Sequence, residues 1–303
     1  MRIIVTGACG FIGSHFVNLI GNQNPTIEIV VVDKLTYASN VNNLKVPVKF
    51  IKKDICDITH EDLGVYDYIV NFAAESHVDN SIKDGKPFVR TNVEGTFNLL
   101  EVARKNPNLK KFIQISTDEV YGDMDDYGED VLATEFFPLI GSSYYSATKA
   151  SADLLVQSAG RTYGLPYLIT RTCNNYGQNQ HQEKLLPTII NCIKNDIPIP
   201  IYGDGLNVRE WIHADDNSTY IWELIQSPQT GIQNISSGER FTNLEIIEIL
   251  EELLERPILL NFIEDRKGHD RRYGLTSKHN TELKWKLRNY LSSQLFNEGV
   301  WFF

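Results

Sequence analysis

A glycine-rich turn stands between the first apolar run of the chain and its first helical stretch. Gly7, Gly10 and Gly13 follow a β-branched run at residues 3–5 and lead into a helical pattern over residues 11–20. Glycines here let the chain turn tightly, let a pyrophosphate approach the backbone and let helix pack on strand. The helix N-terminus offers free N–H groups to phosphate. The turn predicts a dinucleotide-binding strand–helix unit.

The first half of the sequence alternates short apolar runs with helical stretches. The runs are almost continuously apolar, as strands of a parallel sheet covered on both faces are. They lie at residues 3–5, 29–32, 68–72, 112–115 and 167–170. The stretches between them that have helical spacing are residues 11–20, 93–105 and 147–163. This pattern predicts an α/β fold with a Rossmann-type, doubly wound parallel sheet.

After about residue 172 the composition changes, and Asn, Gln, Pro and Gly become frequent between helical stretches at residues 185–194 and 244–255. We predict a smaller α/β substrate-binding domain that is interleaved with the first. The Rossmann domain would comprise residues 1–172 plus about 210–235. The second domain would comprise residues 173–209 plus about 236–303.

Composition excludes several classes of protein. With 29 basic and 39 acidic residues the net charge is −10, which disfavours nonspecific binding to nucleic acid. No apolar run approaches the roughly 20 residues of a membrane helix, and the N-terminus has no signal-peptide pattern. The 4 cysteines are scattered without a Cys-x-x-Cys pair, so we expect neither a disulfide framework nor a metal site. We expect a cytoplasmic protein with no membrane partner.

Asp33 closes the second predicted strand. An acidic side chain there accepts hydrogen bonds from a ribose diol and repels a 2′-phosphate, so the sequence predicts NAD in preference to NADP. The alternative is that Asp33 only caps a helix.

Tyr145 and Lys149 form a Tyr-x-x-x-Lys pair on one face of a predicted helix. An ammonium group near a phenol favours the phenolate, which could accept a hydroxyl proton. Such pairs also occur by chance. Together with the Gly-x-x-Gly-x-x-Gly turn, however, this pair resembles the short-chain dehydrogenase/reductase superfamily.

Thr117, Asp118 and Glu119 follow a predicted strand, at the sheet edge where ligands bind in such folds. Two adjacent carboxylates there are either solvated caps of the next turn or an acid–base pair. The segment Ser-Thr-Asp-Glu-Val-Tyr-Gly, with residues 73–79, 174–177 and 265–270, closely resembles the nucleoside-diphosphate-glucose 4,6-dehydratases, which use dTDP-glucose or UDP-glucose. Two residues depart from that pattern: Tyr144 and Lys267 each stand where the family usually has proline.

The resemblance implies a reaction sequence. Tyr145, with Lys149 and Thr117, oxidises C4 of glucose as hydride passes to NAD. Glu119 then removes the C5 proton while protonated Asp118 donates to the departing C6 hydroxyl. Reduction at C6 completes a net loss of water. Two close carboxylates of this kind need different protonation states.

The resemblance also implies binding residues. Those for the cofactor are Gly7, Gly10, Phe11, Ile12, Gly13, Asp33, Lys34, Leu35, Thr36, Asp54, Ile55, Phe72, Ala73, Ala74, Glu75, Thr91, Tyr145, Lys149 and Asn175. Those for the sugar nucleotide are Ser76, Thr117, Asn174, Lys184, Leu185, Pro200, Ile201, Tyr202, Arg209, Asn243, Asp265, Arg266, Lys267, Gly268 and His269.

Three questions stay open at this point. The nucleotide base can be thymine or uracil, which differ by one methyl group. A sugar-nucleotide epimerase or decarboxylase of the same fold is the alternative enzyme, and a non-catalytic NAD-binding regulator is the alternative outside enzymes. The helices at residues 93–105 and 147–163 are apolar over much of their surface, and the resemblance implies a homodimer through a four-helix bundle.

Overall fold

The computed structural model of the chain describes residues 1–277 and 283–296. In these residues the strands are β1 (Arg2–Thr6), β2 (Glu28–Asp33), β3 (Lys49–Lys52), β4 (Tyr68–Asn71), β5 (Lys111–Thr117), β6 (Tyr167–Thr172), β7 (Asn174–Tyr176), β8 (Ile199–Tyr202), β9 (Val208–His213), β10 (Gly231–Ile235), β11 (Arg240–Thr242) and β12 (Leu260–Ile263). The α-helices are α1 (Phe11–Gln23), α2 (His60–Leu63), α3 (Val78–Lys83), α4 (Lys86–Phe88), α5 (Thr96–Ala103), α6 (Tyr144–Tyr163), α7 (Leu185–Lys194), α8 (Ala214–Gln226), α9 (Asn243–Leu254) and α10 (Leu287–Phe296).

Seven of these strands form one parallel sheet in the order β10-β6-β5-β4-β1-β2-β3. The order runs outward from β1 in both directions, which confirms the predicted Rossmann-type, doubly wound sheet. All the apolar runs that predicted strands lie in it. The sequence did not reveal β3, because this edge strand has only two apolar residues between Lys49 and Lys52.

Successive residues of the central strands face opposite layers of helices. On β1, Ile3 and Val5 pack with α1 and α8, whereas Ile4 packs with α5 and α6. Both sets of side chains are buried, which explains why these strands are continuously apolar instead of alternating. The two layers hold the sheet rigid, and its carboxyl edge carries the loops of the candidate site.

The second lobe has its own core. A three-stranded sheet of order β11-β9-β7 and the parallel pair β12-β8 stand beside α7, α9 and α10. The predicted domain boundaries remain a prediction. β10 lies in the large sheet, within the range predicted for the first domain, and β9 straddles the predicted boundary near residue 210. The second predicted domain includes residues 278–282 and 297–303, which lie outside the described residues.

Two helices start earlier than the sequence suggested. The stretch predicted at residues 93–105 begins with α4, which has proline in its first turn, continues through a π-helical turn at Val89–Gly95 and ends with α5. α6 begins at Tyr144 because the Ser143 side chain caps it in a capping box with Ser146. Within the described residues, no helix is both long and apolar enough to cross a membrane.

The backbone of the glycine-rich turn touches the loop after β4, and this contact gives the first prediction. Gly7 has φ +66°, and a Cβ there would lie 2.5 Å from the Ala73 backbone nitrogen. Gly164 has nearly the same φ, +67°, but open space around it. Gly164→Ala should therefore lower the free energy of unfolding by about 1 kcal/mol, the cost of a left-handed backbone.

Gly7→Ala should lower the free energy of unfolding by about 3 kcal/mol or more, because the backbone contact adds to the same conformational cost. Urea denaturation of both variants measures the difference. Equal losses would show that the close approach at Gly7 carries no energetic weight.

Candidate active site

A cleft opens along the carboxyl ends of the parallel strands and reaches into the second lobe. It holds about 1540 Å³ of non-protein space, part of it open to solvent. The turns after β1, β2, β4 and β5 form its floor and walls, and the loop that follows β7 closes one side. This is the position in which doubly wound sheets bind ligands.

The glycine-rich turn forms one end of the cleft. A Cβ at Gly13 would lie 2.5 Å from the Gly7 carbonyl oxygen, so the first turn of α1 packs directly on the turn before it. Gly7, Gly10 and Gly13 all line the cleft. A backbone this close to the cleft, at a helix N-terminus, suits a pyrophosphate.

Asp33 is buried at the end of β2, and both of its carboxylate oxygens are held. Oδ2 accepts the Cys9 N–H at 2.9 Å, and Oδ1 accepts the Leu35 N–H at 2.8 Å. These bonds fix the carboxylate at the cleft wall, which is the placement that ribose recognition needs. Leu35 itself does not line the cleft; its side chain packs against the core beneath α1.

Lys34 joins several of the predicted cofactor residues. Its Nζ donates to Thr91 Oγ1 at 3.1 Å and lies 3.7 Å from Asp54 Oδ2 and 3.5 Å from Glu75 Oε1. The structure thus brings these residues together although they come from four separate segments. The predicted cofactor residues that line the cleft are Gly7, Gly10, Phe11, Ile12, Gly13, Asp33, Lys34, Thr36, Asp54, Ile55, Phe72, Ala73, Ala74, Glu75, Thr91, Tyr145, Lys149 and Asn175.

Thr117, not a carboxylate, caps the turn that follows β5. Thr117 Oγ1 accepts the Glu119 N–H at 3.3 Å and donates to Asp118 Oδ1 at 3.1 Å. Asp118 is only 3% exposed, and its Oδ2 has no hydrogen-bond partner in the described part of the chain. The Asp118–Glu119 pair therefore does not act as the solvated cap that was the alternative interpretation.

Burial keeps Asp118 protonated near neutral pH. Loss of hydration, reinforced by the neighbouring Glu119 charge, raises the pKa of Asp118 to about 8. Burial also raises the pKa of Glu119, but the cations Arg209, Arg266 and Lys184 act in the opposite direction there. The two carboxyls thus have different electrostatic surroundings, which is what a donor next to an acceptor requires.

Tyr145 and Lys149 line the same cleft from α6, as their spacing predicted. The expectation that Lys149 lowers the pKa of Tyr145 does not hold for the chain by itself. Burial and the Glu119 charge raise the pKa of Tyr145, and the hydrogen bond with Thr117 acts against them. The Lys149 ammonium instead donates to the Ile115 carbonyl at 2.5 Å.

The predicted sugar-nucleotide residues fall into two groups. Ser76, Thr117, Asn174 and Lys184 line the cleft, and Lys184 Nζ donates to the Ser76 carbonyl at 3.1 Å. The others lie beyond the cleft lining, mostly in the second lobe: Leu185, Pro200, Ile201, Tyr202, Arg209, Asn243, Asp265, Arg266, Lys267, Gly268 and His269.

Within the second group the structure joins β8 to the loop after β12. The rings of Tyr202 and His269 lie edge to face at 6.2 Å, and His269 Nδ1 lies 2.6 Å from Asp265 Oδ1. Arg266 reaches back to the first lobe and pairs with Asp79 at 3.2 Å. These contacts place the loop against the first lobe.

Arg209 is buried and turned towards its own lobe. Its guanidinium donates to the carbonyls of Val208 at 2.8 Å and Asp270 at 2.9 Å, and it lies 4.2 Å from the centre of the Tyr273 ring. Because its guanidinium is engaged by these carbonyls, Arg209 is not free in this arrangement to make the predicted contact with a diphosphate. Its positive charge nevertheless opposes the rise in the pKa of both Asp118 and Glu119 that burial causes.

Several cleft residues were missed by sequence reasoning. Lys53 comes after the unrecognised strand β3, so nothing marked it as a strand end. The segment after β7 lacks the periodic pattern of a helix or strand, although its residues reach across the cleft. The missed lining residues are Val32, Ala38, Ser39, Lys53, Ile115, Ser116, Thr172, Cys173, Gln180, His181 and Glu183.

Comparison with known proteins identifies a matching family and similar relatives. Residues 3–236 match the family described as the NAD dependent epimerase/dehydratase family. The chain is 45% identical to a low-salt glycan biosynthesis protein of Haloferax volcanii, over 94% of this chain and 93% of that protein. It is 37% identical to a dTDP-glucose 4,6-dehydratase of Actinoplanes, over 100% of this chain and 98% of that protein.

Solved structures of both dehydratases and epimerases share the fold. A dTDP-glucose 4,6-dehydratase from Streptomyces venezuelae, solved with NAD bound, is 40% identical with a TM-score of 0.89, covering 96% of this chain and 95% of its own. A UDP-glucuronic acid 4-epimerase from Bacillus cereus, solved with UDP-glucuronic acid and NAD, is 27% identical with the same TM-score of 0.89, covering 98% and 100%. Overall shape alone does not separate the two activities.

The raised pKa of Asp118 predicts a pH-dependent stability. The carboxyl has an ordinary pKa of 3.8 and one of about 8 in the folded chain, so between these values the folded state holds a proton that the unfolded state releases. Folding stability therefore falls as the pH rises through this window, whereas Asn at this position has no proton to lose. As the pH rises from 5 to 8.5, the free energy of unfolding of Asp118→Asn should gain about 1–3 kcal/mol relative to that of the wild type. This range is below the full effect of one isolated carboxyl because Asp118 and Glu119 titrate together.

Urea denaturation at both pH values measures this gain. Asp126→Asn, at an exposed position in the next turn, controls for the loss of one surface charge. If the free energies of unfolding of Asp118→Asn and of the wild type changed in parallel across this pH range, Asp118 would be ionised in the folded state. The carboxyl would then not be a proton donor near neutral pH.

Proposed function

Because the chain belongs to the NAD dependent epimerase/dehydratase family, we propose that it is a hydro-lyase that uses NAD to convert a nucleoside-diphosphate glucose into the 4-keto-6-deoxy sugar nucleotide. The relatives named dTDP-glucose 4,6-dehydratase, aligned along the whole chain, support this activity. The product would feed the synthesis of rhamnose or another deoxysugar. The scattered cysteines support action in the cytoplasm.

The first lobe fits a dinucleotide. The close-packed glycine turn would bind the pyrophosphate, and Asp33 would bind the ribose diol. The residues around Lys34 would form the adenosine end of the cleft. When bound, NAD would supply the acceptor and donor of the hydride that leaves C4 and returns to C6. The nicotinamide end would then lie towards Tyr145 and Lys149, at the far side of the same cleft.

The chain's own residues would move the protons. Tyr145 Oη would take the proton of the C4 hydroxyl, with the Thr117 hydroxyl opposing the effect of burial on its pKa. The C4 ketone acidifies the neighbouring C5–H, and Glu119 would remove that proton. Asp118 would give its proton to the departing C6 hydroxyl.

The observation that carries the proposal is the pair of Asp118, which is buried, and Glu119, which is partly buried. An epimerase needs only removal and return of hydrogen at one carbon, so it has no use for a protonated carboxyl beside the alcohol-oxidising tyrosine. Elimination of water needs an acid and a base on adjacent carbons. A carboxyl with a pKa of about 8 at the cleft supplies the acid at neutral pH.

The remaining predicted binding residues are proposed as the sugar-nucleotide site. Among the residues predicted for the sugar nucleotide, Lys184 is the cation that lines the cleft, and its ammonium suits a phosphate oxygen. The segments of Pro200 to Tyr202 and Asp265 to His269 would hold the nucleoside, because the second lobe presents them side by side. Arg209 would reach the diphosphate only by leaving its present carbonyl partners.

The function is tested by incubating the purified enzyme, without added NAD, with dTDP-glucose and UDP-glucose in parallel. In ordinary water we expect a sugar-nucleotide product whose mass is lower by one water. In deuterated water the same product should carry one deuterium at C5. The preferred substrate reports the base. A product of unchanged mass from either sugar would indicate epimerisation and contradict the proposal.

Three variants separate the proposed roles. Tyr145→Phe should block the reaction before any C5 exchange, since no ketone forms. Asp118→Asn should slow dehydration by about 10²–10⁴, the usual contribution of one acid–base group. Glu119→Gln should slow it similarly and also abolish solvent deuterium at C5. Full activity of Asp118→Asn would remove the main support for a dehydratase.

We further propose that the chain forms a homodimer in which α5 and α6 pair with their counterparts as a four-helix bundle. α5 and α6 pack against each other on one face of the sheet. Their outer faces leave large apolar side chains in solvent: Phe97 is 53% exposed, Leu154 57% and Tyr163 58%. An apolar patch of this kind is typical of a protein interface.

Leu154→Glu should weaken this interface, because it buries a charge against its symmetry mate. We expect the wild type to have twice the monomer mass by light scattering at micromolar concentration, and the variant to shift towards the monomer. Phe136→Glu replaces an apolar side chain that is 90% exposed on a loop outside α5 and α6, and it should leave the mass unchanged. A wild-type monomer would contradict the bundle.

A further inference from the structure

α6 carries three titratable side chains in one column. Tyr145, Lys149 and Asp153 are spaced one helical turn apart and therefore share a face of the helix. Tyr145 and Lys149 line the cleft, whereas Asp153 does not and is fully buried. The proposed reaction uses the first two and leaves Asp153 without a role.

Asp153 is held in an ion pair at the centre of the fold. Its Oδ2 accepts from Arg171 Nε on β6 at 2.9 Å, and both side chains are at most 1% exposed. Arg171 is fixed in turn by the Tyr121 hydroxyl at 2.9 Å, and its guanidinium carbon lies 4.9 Å from the centre of the Tyr121 ring. The hydroxyl of Ser116, a residue of the cleft lining, also acts to lower the pKa of this carboxyl, against the effect of burial. Such a fixed carboxylate can act on a charge one turn away.

Lys149 is the charge one turn away. Tyr145 and Asp153 share its face of α6, Asp118 and Glu119 line the same cleft from the end of β5, and Arg171 on β6 is paired with Asp153. Burial lowers the pKa of Lys149 to about 8, and the charge that opposes this is Asp153. Its ammonium donates to the Ile115 carbonyl. Without the Asp153 charge the pKa of Lys149 would be lower still.

We propose that Asp153 is a positioning residue for the reaction: its carboxylate, fixed by Arg171, keeps Lys149 in the cationic form beside Tyr145. This inference rests on the proposed function, since it serves the lysine of that site. An ion pair kept only for packing could be replaced by apolar side chains of similar volume at little cost. A carboxylate that also sustains the Lys149 charge could not.

The test uses the full-length protein with its bound cofactor and selectively labelled ¹³C-lysine. The Lys149 signal is assigned by its loss in Lys149→Met. In Asp153→Asn the pKa read from that signal should fall by about one unit or more, the usual effect of one nearby opposite charge. The alkaline limb of the dehydration rate should move to lower pH by the same amount. Asp153→Glu, which keeps the charge, should restore most of both.

A second variant separates charge from folding. Asp153→Leu combined with Arg171→Met removes both charges together, so stability should recover relative to Asp153→Asn. The Lys149 pKa and the pH limb should stay shifted. Glu252→Gln breaks an exposed ion pair with Arg288 on the second lobe, 2.7 Å in length, and is the control for a lost pair far from the cleft.

Two results decide the inference. If the Lys149 signal titrates as in the wild type both in Asp153→Asn and in Asp153→Leu with Arg171→Met, and their rates follow stability alone, Asp153 has only a structural role and the inference is overturned. If the Lys149 pKa falls as expected in a protein that dehydrates neither sugar nucleotide, the effect of Asp153 on Lys149 is supported and the proposed function is the part that fails.

Discussion

The packing of α6 across β5 removes several titratable groups from water at one edge of the sheet. Asp118 at the end of β5 and Lys149 on α6 are both buried, and burial moves the pKa of each to about 8, from opposite directions. In water at neutral pH one would be ionised and the other firmly protonated. Desolvation brings both near the pH of the cell, where small neighbouring charges decide the protonation state.

Those neighbouring charges come from both lobes. Glu119 raises the pKa of Asp118. Burial raises the pKa of Glu119, and three cations oppose that rise; two of them, Arg209 and Arg266, belong to the second lobe. Arg266 is also joined to the first lobe through Asp79. The seating of the second lobe thus influences the proton distribution of groups that the first lobe carries.

The sequence was most informative where a local rule has a single structural solution. Continuous β-branched runs, the glycine turn and the Tyr-x-x-x-Lys spacing located the buried strands, the cleft end and one wall of the site. Prediction failed where tertiary surroundings decide. β3 is an edge strand with little apolar content, and the orientation of Arg209 depends on carbonyls supplied by residues 208 and 270. The pKa of Tyr145 depends on burial and on Glu119, which spacing along a helix does not reveal.

Fold similarity leaves the reaction undecided, because a dehydratase and an epimerase match the chain with the same TM-score. Both activities begin with the oxidation of an alcohol, the step for which we propose Tyr145 with Lys149 and Thr117. The difference arises at the next carbon, where elimination needs a donor for the leaving hydroxyl that stays protonated beside a base. A carboxyl held out of water next to a second carboxyl satisfies this need without a further cofactor. Under the proposed mechanism, residues 118 and 119, at the carboxyl end of one buried strand, decide the chemistry of a scaffold that the rest of the chain shares with enzymes of another outcome.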